Sequence, residues 1–295
     1  MIDKRFLLIL FTCSLSAQIK GVVKDSLSGK PVPYVNIWVE NENIGSTSEE
    51  NGTFFINTTA TGKRLIFSTL GYEKKIINAS EVLEVNLKTI SYSLDEVVIT
   101  KNIGTKEIEI GNLEGKSSHS YGCGVKPWSV ANYYPSTDQT EKHPFLKSIQ
   151  FRTKSDINKA KLILHCYQVN KDGTPGNDLL SENCIVEVKK GTTINKINIE
   201  KHRLKFPENG IFIAIEWMII EENKYFHSYY LEGSKEKHQG ISYEPKISTC
   251  FSETGISWRY SSGQWKKSNI IGVLPNSKKY QNTYANLAVT ISLTN

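Results

Sequence analysis

Apolar and polar residues alternate along most of this chain, which is the pattern of β-strands rather than helices. Between Ile211 and Ile219 every second residue is apolar and shares one face, while Glu216 marks the other face. Period two with β-branched and aromatic residues favours a half-buried sandwich strand. The other clear strands from residue 145 onward are predicted at 145–153, 159–169, 183–188, 195–199, 224–230, 256–260, 264–267 and 283–293. No helix longer than two turns is predicted.

The first hundred residues hold four short motifs, each of which reads as a strand or a strand end with its turn. Asp, Ser and Gly residues, or Asn51-Gly52, supply the positive φ angles that tight turns need. The motifs occupy Gly21 to Val32, Ile44 to Phe54, Leu65 to Tyr72 and Leu94 to Thr100.

Together these motifs resemble the carboxypeptidase-regulatory-like domain, a small transthyretin-like β-sandwich found in secreted and outer-membrane proteins of the Bacteroidota. The resemblance covers about 80 residues and implies no peptidase chemistry. The later part of the chain, from Leu162 to Leu180 and from Glu208 to Trp217, is similar to a C-terminal β domain attached to the same module. In sugar-importing TonB-dependent transporters, a segment like Leu94–Thr100 engages the energy-transducing partner, although here it also fits the last strand of the module.

The expected fold class is therefore all-β, with an N-terminal transthyretin-like sandwich followed by a jelly-roll-like sandwich. The expected organisation is a signal peptide at 1–18, the regulatory-like domain at 19–100, a linker and irregular lead-in at 101–139 with one candidate strand at 107–111, and the second sandwich at 140–295. Residues 101–120 are rich in Gly, Lys and Glu, so we expect the two domains to be flexibly joined.

The N-terminus has the three parts of a secretory signal. Lys4 and Arg5 precede an apolar core, and small residues end at Ala17, so that the mature chain would begin at Gln18 or Ile19. An alternative makes Cys13 a lipid-attachment cysteine, but Thr12 fits that motif poorly. We therefore expect an exported protein of the periplasm, the outer-membrane surface or the extracellular space.

The charge is uneven along the 295 residues. Residues 18–100 hold 8 Lys/Arg against 10 Asp/Glu, whereas residues 101–295 hold 26 against 19, a net charge of +7. A solvated lysine-rich surface explains the positive charge of residues 101–295. The alternative is that this charge attracts acidic polysaccharide or anionic envelope surfaces. The basic residues do not form a clustered stripe, so nucleic-acid binding is not predicted. No later segment is apolar enough for a transmembrane helix.

The four cysteines outside the signal do not have the spacing of a metal or redox motif. Cys166 and Cys184 lie nine residues on either side of Pro175 and could form a hairpin disulfide in an exported protein. The alternative that we favour is that they are buried free thiols.

No catalytic constellation, metal site or cofactor is predicted. His165 alternates with Ile163 and Tyr167, so it is interpreted as a face residue of a strand. Glu216, Glu221 and Glu222 are the residues that could supply glycosidase carboxylates, but they are explained by a strand and a solvated turn. The loop with Asn170, Asp172, Asn177 and Asp178 offers a partial set of calcium ligands, but its Gly and Pro residues already explain it as turns.

Two candidate sites remain. The aromatic residues Trp258, Tyr260 and Trp265 flank one turn and could stack on sugar rings, although such residues are often core. Ser26, in Asp25-Ser26-Leu27, fits the O-glycosylation motif of the Bacteroidota, although Asp and Ser also form turns.

These expectations combine into an exported, non-catalytic cell-envelope protein that binds or adheres to a cell-surface or dietary glycan. The alternative is an accessory protein-interaction module of an envelope or TonB-dependent transport complex.

Overall fold

The computed structural model describes residues 18–59, 62–81, 84–90, 106–113, 119–231, 233–261, 263–269 and 282–295. The signal segment up to Ala17 and the motif Leu94–Thr100 lie outside this part. The described chain is almost entirely β-structure, which confirms the predicted all-β class.

The N-terminal unit consists of two small sheets that enclose an apolar core. Its strands are β1 (Gln18–Asp25), β2 (Asn36–Val39), β3 (Gly45–Thr47), β4 (Thr53–Asn57), β5 (Arg64–Ser68), β6 (Lys75–Asn78) and β7 (Glu84–Leu87). One sheet has the order β4-β1-β7 and the other β3-β2-β5-β6. Alternate residues point inward, and the core includes Val23, Ile37, Phe54, Leu65 and Phe67.

The predicted turns appear where the motifs placed them. The Asp25 carboxylate accepts the backbone N–H groups of Leu27 and Ser28 at 3.1 and 2.6 Å, which closes the first turn. Gly52 has φ +75°, and a Cβ there would lie 2.6 Å from the carbonyl oxygen of Val23. A larger residue would be strained at that position.

The C-terminal unit is a larger sandwich of two mostly antiparallel sheets. Its first strands are β8 (Glu107–Asn112), β9 (Ser120–Cys123), β10 (Ser129–Tyr134), β11 (Phe145–Ser155), β12 (Ala160–Val169), β13 (Pro175–Asp178), β14 (Cys184–Val188) and β15 (Gly191–Asn198). The rest are β16 (Ile211–Trp217), β17 (Lys224–Tyr230), β18 (Lys237–Ser252), β19 (Ser257–Ser261), β20 (Gln264–Lys267), β21 (Tyr284–Leu287) and β22 (Val289–Thr294). The short helix α1 (Asp138–Lys142) precedes β11, and 3-10 turns lie at Ala79–Glu81, Glu200–His202 and Glu221–Asn223.

The two sheets of this unit are called here the front sheet and the back sheet. The front sheet has the order β13-β12-β16-β10-β19-β20, with β14 also paired to β12. The back sheet has the order β17-β18-β11-β22-β8, with β15, β21 and β9 attached to it. The core between them contains Leu164, Ile213 and Trp217 from the front, and Phe151 and Ile291 from the back.

Three features differ from the sequence-based expectations. The lead-in expected at 101–139 contains the expected strand at 107–111, which is β8, and also contributes β9 and β10; these three strands pair with β22, β18 and β16. Strand β18 was not predicted, because Gly240 and Pro245 interrupt its pattern. Strand β16 is buried on both faces rather than one. Side chains of its own sheet, among them Tyr133, Tyr167 and Trp258, pack on Phe212 and Ala214 of the outer face, and Glu216 of that face lines a cavity beside the N-terminal unit.

The expectation of flexibly joined domains without an integral interface is wrong. Tyr34 of the N-terminal unit forms a buried cluster with Ile163, Met218 and Ile220 of the C-terminal unit. The Thr47 N–H donates to the carbonyl of Ile219 at 3.3 Å, and the Ile219 N–H donates to the Thr47 Oγ1 at 3.0 Å. The interface is therefore both apolar and hydrogen-bonded.

Candidate functional site

A cavity of about 290 Å³ lies between the two units. Asn36, Trp38 and Ser68 line it from β2 and β5, on the outer side of the N-terminal unit. The C-terminal unit lines it with residues on the outer face of the front sheet, among them Ser129, His165, Tyr167, Glu216, Tyr260 and Trp265. The volume is at the small end of the ~300–1,000 Å³ typical of ligand pockets.

Strand periodicity explains why these side chains meet. Ile37 and Val39 point into the core of the N-terminal unit, so Trp38 between them points outward. In the same way Leu164 and Ile215 enter the C-terminal core, which places His165 and Glu216 on the opposite face of the front sheet. The contact between the two units then encloses the space above that face.

An ionic cluster forms one wall of the cavity. The ring of His165 lies between two carboxylates, with Nδ1 2.7 Å from Asp178 Oδ2 and Nε2 3.1 Å from Glu216 Oε2. Tyr167 stacks on the imidazole, with ring centroids 5.1 Å apart and planes 11° apart. His165 and Glu216 are only 7% and 8% exposed.

The cluster holds His165 in its protonated form. Burial alone would lower the pKa of His165, but the hydrogen bonds to Asp178 and Glu216 more than offset this and raise it to about 10. Both ring N–H groups therefore donate to carboxylates at neutral pH. Burial, and then the charges of Asp178 and Glu216, raise the pKa of the Tyr167 hydroxyl well above its usual value, so this hydroxyl also keeps its proton.

The two carboxylates have different surroundings. Asp178 Oδ1 accepts the backbone N–H groups of Cys166 and Leu180 at 3.2 and 3.0 Å, while Oδ2 accepts from His165. Asp178 is therefore fully engaged and fastens β13 to β12. Among the described residues, Glu216 has a hydrogen-bond partner only at Oε2, so Oε1 is available to a ligand.

Aromatic rings form the wall that adjoins the ionic cluster. Trp38 and Tyr260 make an edge-to-face contact across the interface, with centroids 5.9 Å apart. Tyr260 lies 5.2 Å from Trp265, and Trp265 lies 5.9 Å from Tyr167. Rings from β2, β12, β19 and β20 thus form a continuous surface beside the carboxylates.

The cavity adjoins a larger cleft of about 630 Å³. Trp38, Ser68, Asp178 and Tyr260 line both spaces. A ligand longer than the cavity therefore has a path out between the two units.

The structure separates the three aromatic residues that were predicted as a ligand surface. Tyr260 and Trp265 line the cavity, but Trp258 does not. Trp258 instead packs edge-to-face on Phe212 at 5.8 Å, although it shares a strand face with Tyr260.

The other predicted positions lie away from the cavity. Ser26 is in an exposed turn next to Leu27, which is 83% exposed. Cys166 and Cys184 are free thiols, so the structure does not contain the disulfide alternative. Strand register pairs Cys184 with Leu164 rather than with Cys166.

The sequence contained each part of the ionic cluster but not its assembly. Glu216 is a lone carboxylate in an apolar strand, and His165 alternates with apolar residues. Both were noted singly. Their partnership depends on β12 pairing with β16 and on β13 folding back along β12, and neither pairing can be read from periodicity.

Within the described ranges, no group of three or more His, Cys, Asp or Glu side chains is arranged to hold a metal ion. In that same part of the chain, no helix is long and apolar enough to cross a membrane.

Comparison with known proteins assigns the N-terminal unit. Residues 19–99 match the family model of the CarboxypepD_reg-like domain, so this unit is a carboxypeptidase-regulatory-like domain, as its motifs predicted. No curated protein matches the chain.

Among solved structures, the chain is similar to that of the infectious bursal disease virus Gx strain, with 8% identity and a TM-score of 0.24, covering 94% of this chain and 64% of that one. It is also similar to the VP2 subviral particle of the same virus, with 10% identity and a TM-score of 0.27, covering 94% and 60%. The chain thus spans less than two thirds of these proteins, and scores this low carry no argument about function.

Proposed function

We propose that this is an exported, non-catalytic module of the cell envelope that binds a glycan in the cavity between its two units. The observation that carries the proposal is the combination of aromatic rings and hydrogen-bonding groups on the cavity walls. Sugar rings present apolar C–H faces that pack on indole and phenol rings, while their hydroxyls need donors and acceptors. Pockets of this mixed character are typical ligand sites.

The polar groups needed for a sugar are present and not engaged by the protein. Among the described residues, the side chains of Asn36, Ser129 and Tyr260 line the cavity without a protein hydrogen-bond partner. Oε1 of Glu216 is likewise available. A ligand that leaves such groups unpaired would lose affinity, which favours a hydroxyl-rich one.

The adjoining cleft supports a chain rather than a single small molecule. A terminal sugar in the cavity could continue past Trp38 and Tyr260 into the larger space. End-on binding of an oligosaccharide fits the paired spaces better than binding along an exposed sheet.

The chemistry of the cluster supports a non-catalytic role. Burial raises the pKa of the Cys166 thiol well above its usual value, so it is a poor nucleophile. Asp178 is saturated by hydrogen bonds, and His165 has no free ring nitrogen. Hydrolysis of a bound glycan that is lost in Glu216→Gln would contradict this part of the proposal.

Export rests on the N-terminal sequence. N-terminal sequencing of the mature protein should begin at Gln18 or Ile19. Recovery of a cytoplasmic protein that keeps residues 1–17 would contradict it.

Glycan-array screening followed by calorimetry tests the binding proposal, and the chain provides a matched pair of variants. Tyr260→Ala removes a cavity wall, and we expect at least about tenfold weaker binding, since 1.4 kcal/mol corresponds to tenfold. Trp258→Ala removes a ring of the same strand face outside the cavity and should bind normally. Thermal unfolding of both variants controls for folding. Equal loss in the two variants, or no glycan signal, would contradict the cavity as the site.

One observation favours the alternative of a protein-interaction module. The hairpin of β17 and β18 exposes several large apolar side chains, including Phe226 at 63% and Tyr230 at 61%. Affinity capture from envelope extracts that is lost in Phe226→Ser, with no glycan binding, would favour this alternative.

A further inference from the structure

We infer that the cavity selects a basic amino sugar, whose ammonium group pairs with the free carboxylate oxygen of Glu216. This inference rests on the proposed glycan-binding function and specifies the chemical class of the sugar.

The first argument is the charge of the cavity walls. Among the described lining residues, the charged groups are His165, Asp178 and Glu216. With His165 protonated the sum is −1, and with a neutral ring it would be −2. The walls are therefore negative in either state, although the whole chain has a formal charge of +6.

The second argument is the carboxylate of Glu216 itself. It is buried except for 8% of its surface, yet only one of its oxygens accepts a hydrogen bond. Glu216 shares the single positive charge of His165 with Asp178, so one negative charge of this nearly buried cluster has no partner, which is costly. An ammonium group at Oε1 would supply both the charge and the donor, whereas a neutral hydroxyl would supply only the donor.

The third argument is the aromatic wall. Trp38, Tyr260 and Trp265 line the same space as this carboxylate. Cations are attracted to the faces of Trp and Tyr rings, most strongly where water is excluded. One ligand with an apolar ring face and an attached ammonium group would match both walls.

No cation of the protein takes that position in the described part of the chain. Lys161, at the interface, hydrogen-bonds to Tyr34 Oη at 3.0 Å and pairs with Glu222, and it does not line the cavity. Acidic glycans, by contrast, would face Glu216 and Asp178 across a short distance and should be rejected.

The test compares three oligosaccharides of equal length on the full mature protein: glucosamine, N-acetylglucosamine and galacturonate oligomers. We expect the glucosamine oligomer to bind at least about tenfold more tightly than the acetylated one, and the galacturonate oligomer not to bind. Glu216→Gln should remove this preference while it retains weak binding of the neutral sugar. Glu187→Gln, which removes the same charge from an exposed position on β14 of the same sheet, should keep it.

The outcomes separate the two proposals. Equal or tighter binding of the acetylated oligomer would overturn the amino-sugar inference and leave the glycan proposal intact. Absence of binding by all three sugars would overturn both. A lysine-containing peptide is the final arm: binding of that peptide in preference to every sugar would overturn the sugar class.

Discussion

At the scale of single residues, His165 is the group on which the site depends. It supplies the positive charge between two nearly buried carboxylates, and its ring nitrogens donate to both of them. Removing one member of a buried ionic cluster costs more than the pairing gains, because uncompensated charge stays behind. The cluster is thus a fixed feature of the cavity wall.

We therefore expect His165→Ala to lower the free energy of unfolding by about 3–5 kcal/mol, the range for a broken buried ion pair. Urea denaturation of the mature protein measures this. Adding Glu216→Gln in the same chain should restore part of the loss, because one of the two facing charges is removed. If His165→Ala alone were as stable as the wild type, the cluster would be solvated rather than buried.

The pH dependence of stability follows from the same residue. Its pKa is about 10 in the folded state against 6.5 ordinarily. A raised pKa contributes stability that is complete below about pH 6.5 and is lost as the pH rises through 10. The unfolding free energy of the wild type should therefore fall over this window more steeply than that of His165→Gln. Parallel curves for the two proteins would contradict the assignment.

At the scale of elements, β3 of the N-terminal unit packs closely against both its neighbour β2 and the C-terminal unit. Gly45 begins this strand, and a Cβ there would lie 2.6 Å from the carbonyl oxygen of Ile37 and 2.8 Å from Cγ of Pro127 in the C-terminal unit. Real side chains do not fit such distances. Glycine at this position therefore lets β3 pair with β2 while it contacts the other unit.

Gly45→Ala should destabilise the protein by about 1–3 kcal/mol, as overpacking does. Gly124→Ala is the matched control, since nothing lies within 4 Å of a Cβ at that position. Chemical denaturation of both variants is the measurement. Comparable stability of Gly45→Ala and Gly124→Ala would mean that the interface yields easily around β3.

The elements also show what sequence reasoning can and cannot reach. Alternation predicted β16 and its inward residues Ile213 and Ile215, because burial on one face imposes period two. It predicted exposure of the other face, since nothing in the sequence indicates that side chains from β10, β12, β19 and β20 pack over Phe212 and Ala214. The chemistry of Tyr260 makes it a candidate ligand contact from sequence, and it lines the cavity, whereas the cluster around Glu216 needs the pairing of strands far apart in the chain.

At the scale of the whole molecule, the two units are joined by hydrogen bonds as well as by an apolar contact. Thr47 exchanges two bonds with Ile219, and Asn183 donates to Thr69 Oγ1 at 2.9 Å. Thr47 is 2% exposed, so an unpaired group there would not be compensated by water. The stability of each unit should therefore depend on the other.

Thr47→Val tests this dependence, because it keeps the shape of the side chain but removes the acceptor of the Ile219 N–H. A buried unsatisfied donor costs about 1–3 kcal/mol. Although the change lies in the N-terminal unit, we expect faster hydrogen exchange in the C-terminal unit, at Ile219 and the adjoining end of β16, and a lower midpoint in a single calorimetric transition. Thr59→Val, an exposed threonine of the same unit, should leave both unchanged. Two separate transitions in the wild type, or increased exchange confined to the N-terminal unit, would show that the units fold independently and that the cavity between them is not a fixed part of the fold.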